Sequence, residues 1–117
     1  MEPKNLDEAV EIIMVQLTPA NIMDLQDVNE EYSMTCLNGL KIRNDWNLWY
    51  KSDLSLWFAE HGIYHADDMS GVIEKTVWER VCGKRITPIE EHQKYFQAHW
   101  DKYECDVKTQ FEERCNE

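Results

Sequence analysis

Apolar residues along this chain recur every three or four positions, the spacing of one helix face, and no alternating run is long enough to argue for a strand. Leu6, Ala9, Val10, Ile13 and Leu17 share a face, and Asn5 followed by Glu8 reads as a cap with a supporting acid, so the first helix opens at Asn5 and runs to about Leu17. Thr18 as cap and Pro19 at the first helical position start a short second helix carrying Ile22, Met23 and Leu25. Asn29 with Glu30 and Glu31 begins a third, with Tyr32, Cys36, Leu37 and Leu40 at core spacing as far as about Arg43. Gly39 inside this pattern is expected to permit close packing against an aromatic. Asn44 to Lys51 reads as an aromatic loop, after which Ser52 or Asp53 caps a helix that turns Leu54, Trp57 and Phe58 inward and stops at Gly62.

Gly62 to His65 is a candidate extended segment, and His65-Ala-Asp-Asp starts the next helix, where acids suit the positive end of the dipole. Its stripe is Met69, Val72, Ile73, Thr76 and Val77, and Gly83 ends it. Thr87-Pro-Ile-Glu90 has the form of a capping box for a last helix with Ile89, His92, Phe96, His99, Trp100 and Tyr103. The pattern predicts an all-α protein, a compact single-domain bundle of about five to six short helices with an aromatic-rich central loop. Residues 1–117 form one domain on this reading, with a core over about 3–104 and, in 105–117, an acidic C-terminal helix extension or a frayed tail.

Composition narrows the classes. With 43% hydrophobic residues, 117 positions suffice for a core without metal or disulfide support. Apolar runs such as 12–15 and 56–59 are far too short to span a membrane. The acidic, polar start Met-Glu-Pro-Lys-Asn lacks the form of a secretory signal, so a cytoplasmic location is expected. Cys36, Cys82, Cys105 and Cys115 make no Cys-x-x-Cys pair and read as reduced thiols. Cys36 is placed on a buried helix face and Cys115 near a frayed end.

The net charge of −11 is concentrated at the ends: residues 1–31 hold eight acids against the single Lys4, and residues 101–117 hold six against three basic residues. Such a chain repels phosphate backbones, so direct nucleic-acid binding is disfavoured. It suits a protein partner with a basic surface, or it serves solubility alone.

Between Leu37 and Gly71 three of the five tryptophans are interleaved with Arg43, Asn44, Asp45, His65, Asp67 and Asp68. The sequence Gly39-Leu-Lys-Ile-Arg-Asn-Asp-Trp-Asn-Leu-Trp49, with Gly62-Ile-Tyr-His-Ala-Asp-Asp-Met-Ser-Gly71, resembles a family of small uncharacterised bacterial and phage proteins. That family has a pattern like W-I-R-N-N-W-G-L-W followed by G-I-Y-H-P-D-D-M-S-G. The resemblance covers residues 3 to about 100, including Glu91 to Trp100, and brings no activity with it. Lys41, Asp45, Asn47 and Ala66 depart from its pattern, which has an aromatic, Asn, Gly and Pro there.

Two chemistries are open to the motif. His65, Asp67 and Asp68 offer an imidazole and carboxylates, and Arg43 a bidentate grip on phosphate or carboxylate, as a small hydrolase or ligand-binding protein would use. Alternatively the cluster is a structural brace: His65 caps a helix, the aspartates occupy its first turn, and Arg43 pairs with one of them. Trp46, Trp49 and Trp57 do not make a single-strand stacking platform, because residues 41–53 are close to neutral. Trp57 reads as core, whereas Trp49 and Tyr50 are candidate partner anchors together with Glu30 and Glu31. His61 is expected to face solvent. His92 and His99, seven apart, lack the i, i+4 spacing of a helical zinc pair, and no cofactor or metal is expected. The leading expectation is a non-enzymatic acidic interaction domain that binds and inhibits a macromolecule, in the manner of phage counter-defence or immunity proteins. The competing ones are an enzyme or ligand binder at the Arg43/His65/Asp67/Asp68 cluster, and a homo-oligomeric scaffold.

Overall fold

A computed structural model describes residues 2–27 and 39–116. Its described part holds seven helices: α1 (Leu6–Gln16), α2 (Pro19–Asp27), α3 (Gly39–Asp45), α4 (Asp53–Glu60), α5 (Ala66–Val81), α6 (Ile89–Lys102) and α7 (Val107–Cys115). No strand occurs among the described residues, and 63–65 is irregular. The fold is all-helical as the periodicity predicts, with one helix more than expected. The radius of gyration is 14.2 Å, near the value of about 13 Å for a compact chain of about 100 residues. Among the described residues no helix is long and apolar enough to cross a membrane.

Local signals set most helix starts. Asn5 Oδ1 accepts the Glu8 amide at 2.9 Å while Glu8 accepts the Lys4 amide, which ties two otherwise unmet donors at the head of α1. Thr18 and Asn21 exchange the same pair of bonds at α2. Ser52 and Ser55 form a reciprocal capping box at α4. Four helix ends share one geometry, in which an amide reaches back five residues to a carbonyl across a left-handed residue. These bonds are Leu48 to Arg43, Ile63 to Phe58, Lys84 to Glu79 and Cys105 to Trp100. The left-handed residues are Asn47 (φ 52°), Gly62 (φ 82°), Gly83 (φ 67°) and Glu104 (φ 53°). Asn47 stands where the resembling pattern has glycine, and asparagine is the side chain that best tolerates this conformation.

The core is organised around α5, against which α1, α2, α3 and α4 all pack. One apolar stripe does not describe such a helix, since neighbours surround it. Ten of its sixteen residues are buried, including Ser70, Glu74, Thr76 and Glu79. Thr76 Oγ1 donates to the Val72 carbonyl at 2.8 Å. Glu79 accepts both the amide (3.1 Å) and the hydroxyl (2.6 Å) of Thr87. That contact overrides the capping box expected at Thr87: the cap position of α6 is Pro88, with no side-chain bond. A buried carboxylate short of partners outbids an exposed helix amide for the hydroxyl.

Several other expectations are corrected. Met23 is 63% and Leu40 58% exposed, because α2 and α3 bury few positions. Gly39 lies against the Glu74 carboxylate and Arg43 rather than an aromatic. His61 is half-buried, stacked at 4.2 Å on Trp57 with Nδ1 at 2.8 Å from the Trp57 carbonyl. The sequence left 105–117 open between a helix extension and a tail, and residues 107–115 are helical, with Phe111 joining the core 6.3 Å from Tyr64 between ring centroids. Cys115 closes that helix, half-buried. Glu30, Glu31, Tyr32, Cys36 and Leu37, and the start placed at Asn29, lie outside the described residues.

Candidate functional site

The motif residues converge on the N-terminus of α5, which the chain enters after the Gly62 turn. His65 is the cap: its Nδ1 accepts the Asp67 amide at 3.1 Å, which requires the proton of the neutral ring on Nε2. Asp67 and Asp68 fill the first turn, where the helix dipole favours negative charge. From α3, Arg43 reaches across and donates from Nη1 to Ser70 Oγ at 2.9 Å, while its Nε lies 3.3 Å from Asp67 Oδ1. Ser70 passes the bond on to the Asp67 carbonyl at 3.0 Å. One turn further along α5 sits Glu74, only 2% exposed, with Oε2 lacking a hydrogen-bond partner. Burial pushes its pKa up from 4.5 to about 7, and the nearby Arg43 only partly offsets this.

The aromatic half of the motif packs around His65. Trp100 of α6 stacks on the imidazole at 5.2 Å and Trp49 meets it edge-on at 5.3 Å. The indole N–H of Trp100 donates to Asp68 Oδ2 at 2.8 Å. Burial raises the pKa of Asp68, against the lowering effects of the Trp100 bond and of His65 and His99. On its other side Trp49 is held by α7: Arg114 Nε donates to its carbonyl at 3.1 Å, and the guanidinium lies 5.7 Å from its ring.

Not all of the motif belongs to this cluster. Asn44 and Asp45 are on the exposed side of α3, where Asp45 pairs with Lys41. Trp46 is half-buried against the core. Tyr50 is 48% exposed and Trp49 is half-buried. Ser70, Glu74, Trp100 and Arg114 belong to the cluster without having been singled out for it in the sequence. Ser70 and Glu74 carry a legible signal, being polar residues three and seven positions after Asp67 on one helix face. Trp100 and Arg114 carry none, since their contacts depend on where α6 and α7 dock.

Chemically the arrangement is a network of hydrogen bonds and an ion pair that solvent reaches chiefly at Asp67, whose side chain is 59% exposed against 20% for Arg43 and for His65. Among the described residues no group of three or more His, Cys, Asp or Glu side chains is placed to hold a metal ion. An open hollow of about 550 Å³ lies elsewhere, at the α6–α7 turn, lined by Tyr64, Asp101, Glu104, Cys105 and Lys108 among others, and includes none of Arg43, His65, Asp67 and Asp68.

Neither the curated proteins nor the solved structures contain a match to this chain. A family model does match, described as a domain of unknown function (DUF6794) and aligned with residues 2–81, which takes in α1 to α5 with the whole Arg43 to Asp68 motif and leaves α6 and α7 beyond it. The chain belongs to that family.

Proposed function

We propose that this protein is a non-enzymatic acidic interaction domain that binds, and thereby inhibits, a macromolecular partner with a basic surface. The observation that carries the reading is the contrast between two sets of charges. Those of the motif are turned on one another, Arg43 toward Ser70 and Asp67, His65 toward the Asp67 amide, and Asp68 toward Trp100. Those of the first two helices, Asp7, Glu8, Asp24 and Asp27, face solvent, while Glu11 pairs with Arg80. Exposed charge of one sign steers encounter with an oppositely charged surface. Trp49 and the exposed Tyr50 supply candidate aromatic anchors, with Glu30 and Glu31 extending the acidic run in sequence. Action in the cytoplasm of a bacterium on a defence or toxin protein, as the likeness to phage proteins suggests, is part of this proposal.

The test is capture of partners from lysate at low salt by the wild type and by a variant with Asp24, Asp27, Glu30 and Glu31 all changed to Lys. A stoichiometric partner lost in the variant and at high salt supports the reading. Equal capture by both chains at low salt refutes its electrostatic basis.

A ligand-binding or hydrolytic role for the Arg43/His65/Asp67/Asp68 cluster is the second reading, favoured by the exposure of Asp67 beside Arg43. It predicts that Arg43→Ala removes activity at unchanged melting temperature, whereas a brace predicts the reverse. A homo-oligomeric scaffold is the third, decided by solution mass.

A further inference from the structure

Glu74 is the least comfortable side chain in the described structure. Its neighbours on α5, Ser70, Thr76 and Glu79, all have hydrogen bonds, but Glu74 Oε2 is out of contact with solvent and unbonded. Its other oxygen is pressed against the first residue of α3, so that a methyl group on Gly39 would come within 2.5 Å of Oε1 and 3.1 Å of Arg43 Nη1. Among the described residues the charged group acting on it is Arg43, and that guanidinium already faces Ser70 and Asp67.

The element above Glu74 is short and packs directly on α5. α3 has seven residues and none of them is buried. Its hold on α5 comes from Arg43 and from Ile42, half-buried against the core, with Trp46 following directly after it. α5, by contrast, is buried along most of its length and cannot turn the carboxyl outward without breaking the core.

We propose that the buried carboxyl of Glu74, wedged under Gly39 and facing Arg43, is a proton-operated latch that holds α3 on α5 when neutral and releases it when ionised. A neutral carboxyl is tolerated in a dry contact, whereas a carboxylate without hydrogen bonds is not, and hydration is the relief nearest to hand. Opening α3 admits water to Oε2 and uncovers Ile42 and Trp46. Among the described residues, the titratable and charged groups around the latch are Arg43 on α3 and, across the same guanidinium, Asp67 on α5; Lys41 and Asp45 pair with each other on the exposed side of α3. The release is fitted to ordinary cellular conditions, since Glu74 titrates near pH 7 in the closed form and near 4.5 once hydrated.

The sign follows from that raised value. The closed form is fully favoured below about pH 4.5, and its advantage is lost as the pH rises to about 7, where the effect levels off. Hydrogen exchange of the α3 amides, corrected for the intrinsic pH dependence of exchange, reads this directly. In the wild type, protection over residues 39–45 falls about fortyfold from pH 5 to 7, while the amides of residues 72–77 in α5 keep theirs. Glu74→Gln removes the titration and gives α3 a pH-independent protection. Two results overturn the proposal: α3 protection in the wild type that does not change between pH 5 and 7, or Glu74→Gln showing the wild-type slope. Should Glu74→Gln not fold, the wild type alone decides, because a parallel loss of protection in α3 and at residues 72–77 means global unfolding and no latch.

Discussion

Truncating Phe111 to alanine tests whether the last helix is part of the domain or an appendage. Phe111 is 3% exposed and is the one buried residue of α7, whose remaining attachments are half-buried Val107, Cys115 and Arg114. A buried phenylalanine cut to alanine costs about 3–5 kcal/mol through lost transfer free energy and the space left behind. Nothing else in α7 can supply that much, as the bond from Arg114 Nε to the Trp49 carbonyl is worth about 1–3 kcal/mol. If α7 melts with the core, the melting temperature falls by about 10 °C, taking roughly 3 °C per kcal/mol for a chain of this size. Because Arg114 leaves Trp49 with it, tryptophan fluorescence changes in the folded state too, and ellipticity at 222 nm declines before the main transition. Scanning calorimetry with circular dichroism measures both. A variant that melts within about 2 °C of the wild type with undiminished helicity would refute the placement of Phe111 in the core.

Three further outcomes follow from the same contacts. Arg43→Ala, which strips Ser70 and Asp67 of their partner and Glu74 of its nearby cation, is expected to cost about 2–4 kcal/mol in urea unfolding; Arg43→Lys rescues little, since one ammonium cannot reproduce both contacts. Asn47→Gly should be neutral or stabilising by up to about 1 kcal/mol at φ 52°, and Asn47→Val destabilising by about 1–2 kcal/mol, both measured by denaturant midpoint. Asp68 has a folded pKa raised chiefly by burial, so its contribution is fully present below the ordinary carboxylate range and is lost as the pH rises through the raised value. Asp68→Asn keeps an acceptor for Trp100 and should flatten that part of the pH–stability curve, whereas Trp100→Phe removes the donor and should steepen it; unchanged profiles in both would show the Trp100 bond to be inconsequential.

Residues whose structure depends on near neighbours were legible before any coordinates. Caps at Asn5, Thr18, Ser52 and His65, the stops at Gly62 and Gly83 and the inward face of α5 are local events, decided by side chains within four or five positions. Helix type and approximate boundaries follow from them, as do the acids in the first turn of α5. The same logic failed at Thr87, where a distant glutamate claimed the capping hydroxyl. It left 105–117 open between helix and tail, because their polar composition hides the single buried phenylalanine that docks α7.

What only the tertiary structure decided is which helix lies at the centre. Periodicity marks α5 as amphipathic, but four helices pack on it, and that burial turns Glu74 and Glu79 from surface acids into interior ones. The resulting network joins Arg43 to Ser70 across 27 positions, Asp68 to Trp100 across 32 and Trp49 to Arg114 across 65. Contacts at such separations leave no periodic trace, because side-chain spacing encodes the face a residue occupies and not the partner that face will meet. Sequence alone therefore determined a small acidic helical protein with a polar aromatic motif, and packing determined that Arg43, His65, Asp67 and Asp68 are turned on one another and on their neighbours, beside a buried carboxyl with one oxygen left unbonded.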